Sequence, residues 1–70
     1  MTKRNNIAFY NIGEKKAYFR TTSFVRAVAE VDNLKSDEAV ICKVNGISKR
    51  INGEDVYDGR KTLEANFDFI

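Results

Sequence analysis

The chain has 70 residues, 43% of them hydrophobic and 31% charged, with twelve cations against ten anions for a formal charge of +2. That supports one small core and one domain spanning 1–70 rather than disorder, although a chain of this size buries only roughly 60% of its extended surface on folding. It excludes recognition of nucleic acid or membrane by bulk charge; with no histidine and a single cysteine it also excludes an internal disulfide and the usual zinc ligand sets.

Met1 to Asn6 is polar and terminal, so residues 1–6 are expected to fray. No signal-peptide hydrophobic region follows them, and no apolar run approaches the ~20 residues that span a bilayer. A reducing, cytoplasmic setting without membrane contact is expected.

Ile7 to Ile12 and Lys16 to Thr21, joined by Gly13-Glu14-Lys15, read as a hairpin. A three-residue loop sets Phe9 opposite Phe19 on one face and Tyr10 opposite Tyr18 on the other. Thr21-Thr22-Ser23 offers N-cap hydroxyls for a helix over Phe24 to Leu34. Its apolar stripe is Phe24, Ala27, Val28, Val31 and Leu34, at three- and four-residue spacing.

Ala39 to Val44 is β-rich and ends in Asn45-Gly46, a pair that tolerates the positive φ angles of a two-residue hairpin turn. That turn pairs Val44 with Ile47, Cys42 with Lys49 and Val40 with Ile51, and sets Lys43 beside Ser48 and Ile41 beside Arg50 on the reverse face. Asn52-Gly53 and the polar stretch Glu54 to Lys61 read as a longer turn anchored by Val56 and Tyr57. In Thr62 to Ile70, Leu63, Ala65, Phe67 and Phe69 alternate with Thr62, Glu64, Asn66 and Asp68, which predicts a half-buried final strand. The expected fold is α+β, a mostly antiparallel sheet in the order β-β-α-β-β-β with one helix on one face.

The chemistry points away from an enzyme. Without histidine the common general base is missing, and Cys42, facing the same way as Val40 and Val44, reads as a core hydrophobe rather than a nucleophile. Glu54, Asp55, Asp58 and Glu64 lack the ligand spacing of a calcium loop, and read as a solvated turn rather than a metal site. Gly13, Gly46, Gly53 and Gly59 are scattered singly, so no phosphate-cradling loop is present. No cofactor is expected.

One helix leaves one sheet face uncovered. On it the pairings place Tyr10, Lys16, Tyr18, Arg20, Lys43 and Arg50, with Ser48 among them, as the candidate partner-binding residues. Tyrosine and arginine are favoured interface anchors, and Glu64 and Asp68, expected on the outward side of the last strand, would repel a phosphate backbone. The leading expectation is a non-enzymatic module that binds a protein and acts by occlusion. The alternative is nucleic-acid binding through the same Tyr/Arg/Lys face, with Lys3 and Arg4 as a basic arm. A homodimer completed along a sheet edge or at Phe67 to Ile70 is the third. In size and element order the chain resembles the small accessory proteins of bacteria and phages that inactivate host or defence proteins, anti-CRISPR proteins among them; the resemblance implies a regulator or inhibitor.

Overall fold

The computed structural model describes residues 5–68. Four strands, β1 (Ile7–Asn11), β2 (Phe19–Thr21), β3 (Ala39–Val44) and β4 (Ile47–Asn52), form one antiparallel sheet in the order β2-β1-β3-β4. Helix α1 (Phe24–Asp32) lies between β2 and β3 in the chain, and a short 3-10 turn (Gly53–Asp55) leads from β4 into α2 (Val56–Asn66). The fold is α+β, as the pattern predicts.

The β3–β4 hairpin has the predicted register throughout, from Val44 opposite Ile47 to Ala39 opposite Asn52. Asn45 (φ 51°) and Gly46 (φ 92°) take the left-handed conformations that the two-residue turn requires. Phe9 also pairs with Phe19 as expected. Beyond that pair the ladder stops, so the β1–β2 connection runs from residue 12 to residue 18 rather than over three residues. The Tyr18 N–H donates to the Phe9 carbonyl at 2.9 Å, one residue out of step with the pairing.

Helix α1 begins where the hydroxyls predict. Ser23 is the N-cap, its side chain accepting from the Arg26 N–H at 3.3 Å, and the Thr21 hydroxyl oxygen accepts from the Ser23 N–H. Ala27 and Val31 are fully buried, with Phe24, Val28 and Leu34 packed beside them.

The predicted final strand is instead the second half of α2. Asp55 caps this helix by accepting from the Asp58 N–H at 3.2 Å. The inward positions are Val56, Gly59, Thr62, Leu63 and Asn66, a three- and four-residue spacing, whereas Ala65, which the alternation assigned to the core, is exposed. The misreading has a physical source. Two inward positions carry polar side chains that are satisfied locally, Thr62 Oγ1 donating to the Asp58 carbonyl and Asn66 Nδ2 to the Thr62 carbonyl. With glycine at a third, the helical stripe is not written in apolar residues. Phe69 and Ile70 lie outside the described residues.

Both helices cover the same sheet face. Ile7, Phe9, Val40, Cys42, Val44 and Ile51 from the sheet meet Ala27 and Val31 of α1 and Leu63 of α2. Gly59 lets α2 approach closely, since a Cβ there would sit 2.7 Å from Ile51 Cγ2 and 3.0 Å from Val31 Cγ1. A bidentate ion pair from Arg60 to Asp32, with contacts of 2.8 and 2.7 Å, ties the two helices at the surface.

Asn5 and Asn6, expected to fray, are held at the β3–β4 turn. Asn5 Nδ2 donates to the Asp68 carbonyl and Asn5 Oδ1 accepts from the Asp68 N–H, both at 2.8 Å. Asn45 Nδ2 donates to Asn5 Oδ1 and to the Asn66 carbonyl, while Asn45 Oδ1 accepts from the Asn6 N–H. Residues 1–4, with Lys3 and Arg4 of the expected basic arm, lie outside the described residues. Among the described residues no helix is long and apolar enough to cross a membrane.

Candidate functional site

Strand alternation and the observed register determine which side chains the helices leave uncovered. Arg20 stands on β2, Ala8 and Tyr10 on β1, Ala39, Ile41 and Lys43 on β3, and Ser48, Arg50 and Asn52 on β4. They form three adjacent cross-strand rows: Arg20, Ala8, Lys43 and Ser48; Tyr10, Ile41 and Arg50; and Ala39 with Asn52.

Tyr10 and Ile41 are half-buried at the middle of this face, while Arg20, Lys43, Ser48 and Arg50 are exposed around them. Arg50 Nε donates to Asn52 Oδ1 at 3.1 Å, which orients the guanidinium along β4. The charged residues on the four strands are Arg20, Lys43, Lys49 and Arg50, all cations. Lys49 pairs with Cys42 and so belongs to the helix side; the other three share the open face.

Four of the six candidate residues, Tyr10, Arg20, Lys43 and Arg50, are therefore brought together as expected. Tyr18 is not among them. Its ring lies against Phe9, with centroids 6.3 Å apart, and the Glu30 carboxylate of α1 acts on its hydroxyl. Turning to the helix side puts the ring against the fully buried Phe9. Partial burial, then the neighbouring Glu30 carboxylate, push the phenol up to about 12. Lys16 is exposed in the β1–β2 connection and holds no strand position.

Glu64 and Asp68 also leave the face. Glu64 is exposed on α2, in the helix layer, and Asp68 is held by Asn5 beyond the end of that helix. Ile41 lies on the face beside Arg50 as its predicted pairing requires, and Ala8, which the sequence reading does not place, belongs there too; the alternation that places Tyr10 there is signal enough to include it. Cys42 is fully buried as expected, and burial pushes its thiol up to about 12. Among the described residues no group of three or more Cys, Asp or Glu side chains could hold a metal ion.

Among the described residues, fold and face together define a small sheet-and-helix unit with one cation-flanked sheet surface that neither helix covers. Comparison of the chain with protein-family models, with curated proteins and with solved structures finds no match.

Proposed function

We propose that the protein is a non-enzymatic binding module, a regulator or inhibitor that docks a partner protein on its open sheet face and acts by occlusion. The observation that carries the reading is the face itself: an aromatic and aliphatic centre, Tyr10 and Ile41, within a rim of Arg20, Lys43 and Arg50, with no carboxylate at its strand positions. Apolar centre and polar rim are the anatomy of a protein interface, and the rim charge suits an acidic partner surface. A fully buried thiol whose proton is held more tightly than usual is a poor nucleophile, which supports a role in binding rather than catalysis. The same free thiol suits a cytoplasmic setting, where a small bacterial or phage inhibitor of a defence protein, anti-CRISPR-like in kind, would meet its target.

Nucleic acid is the second reading, favoured by one observation: Glu64 and Asp68 do not oppose a phosphate backbone on this face. Against it, Tyr10 is the single ring left there among the described residues, whereas single-strand binders stack successive bases on several.

Affinity capture on the full chain, with and without nuclease, tests both. A protein that survives nuclease and is lost with Arg20→Glu or Arg50→Glu is the expected result. Recovery of nucleic acid alone, with affinity falling steeply as salt rises, would replace the leading reading with the second.

A further inference from the structure

The open face is not level. Ala8 lies near its middle, and both of its cross-strand partners are cations, Arg20 on one side and Lys43 on the other. Strand geometry sets the Cα atoms of these two roughly 10 Å apart, with only a methyl group between them. Ala8 is just 6% exposed although no helix among the described residues covers this side. The result is a trough of about 540 Å³, walled by Arg20 and Lys43, with Tyr10 toward one end and Thr22 toward the other. Among the described residues no carboxylate lines it. Its volume falls within the range of ligand pockets, which suits a protruding segment better than a flat surface.

We propose that this trough receives a carboxylate-bearing loop of the partner protein. Arg20 offers two parallel N–H donors that match the two carboxylate oxygens, and Lys43 supplies a point charge from the opposite wall. Tyr10 packs on the apolar stem of the inserted side chain. The assignment rests on the reading of the face as a protein-binding surface and specifies which part of it selects the partner. A phosphodiester strand fits less well, since the next cation, Arg50, lies in the neighbouring row and one ring cannot stack a run of bases.

The test is an NMR titration of the full ¹⁵N-labelled chain with an N-acetylated, C-amidated peptide carrying two glutamates. Its glutamine version, inorganic phosphate and a thymidine oligonucleotide serve as parallel probes. The glutamate peptide should shift the amides of Ala8, Arg20 and Lys43 saturably, and the glutamine peptide should bind about tenfold more weakly or not at all. Ala8→Leu, which keeps both cations and fills the floor, should abolish the response. Lys43→Gln, at an exposed position, should weaken it about tenfold and covers the case in which Ala8→Leu fails to fold. The proposal is overturned if no probe moves these amides, if only the oligonucleotide or only phosphate does, or if Ala8→Leu binds as the parent does. A captured partner separates this inference from the broader one. Loss with Arg50→Glu but retention with both Ala8→Leu and Lys43→Gln would sink the trough and keep the face, and retention by all three would sink both.

Discussion

At position 59 the absence of a side chain decides how closely α2 can approach α1 and β4. The methyls that a Cβ would meet, Ile51 Cγ2 at 2.7 Å and Val31 Cγ1 at 3.0 Å, belong to β-branched residues that turn little about χ1. Replacing a helical glycine by alanine ordinarily gains roughly 1 kcal/mol, while overpacking a core costs about 1–3 kcal/mol. Gly59→Ala is therefore expected to lose about 1 kcal/mol net, and Gly59→Val more, in urea unfolding. A stability gain for Gly59→Ala would show that the helices separate without penalty. Two other residues set the alkaline behaviour. Cys42 is raised from 9.0 and Tyr18 from 10.0, each to about 12, so the folded state holds both protons more tightly than the unfolded chain does. Their contribution to stability is whole below pH 9 and is lost progressively as the pH rises from 9 towards 12. The urea midpoint should fall across that window, and Tyr18→Phe should soften the fall in its upper part; a midpoint that rises there contradicts the assignment.

At the scale of elements, the clearest local signals decided what they could. Asn45-Gly46 sets its own turn geometry, and one correct turn fixes the pairing of every residue on the two strands it joins. Helix α1 carries its hydroxyl cap and its apolar stripe in adjacent residues. Helix α2 does not, because Gly59, Thr62 and Asn66 occupy inward positions that only the packed structure makes tolerable. Leu63 and Phe67 are four apart, a spacing that suits a strand face and a helix face equally, so alternation could not tell the two apart. The asparagine clasp was illegible for a related reason: its members are 63 and 40 residues apart along the chain. Asn5→Ala removes both bonds to Asp68 and one from Asn45, and should cost about 1–3 kcal/mol. Hydrogen exchange should show the Asp68 amide losing protection before the core strands do. Unchanged protection at that amide would mean the clasp holds nothing.

Across the whole molecule the cations on β4 bear on self-association. β4 is a sheet edge, and pairing it antiparallel with a second copy would bring Lys49 and Arg50 against their own equivalents. Sedimentation should give a mass that does not change with concentration, and the double variant Lys49→Thr with Arg50→Thr should self-associate more. A parent chain that dimerises at micromolar concentration would refute this. The candidate face was legible in outline because strand alternation assigns Tyr10, Lys43 and Arg50 to one side whatever the strand order. Its charge balance was not, since that depended on whether Glu64 belonged to a strand or a helix.

Local chemistry thus determined the α+β class, the β3–β4 register, the start of α1 and the burial of Cys42, each resting on residues adjacent in the chain or on a period of two. Tertiary packing alone decided that residues 56–66 coil rather than extend, that Tyr18 turns to Glu30 and Phe9, and that Ala8 lies in a trough between Arg20 and Lys43. The physical reason is common to all three: each outcome depends on partners brought close only when the sheet is assembled, and no local propensity encodes them.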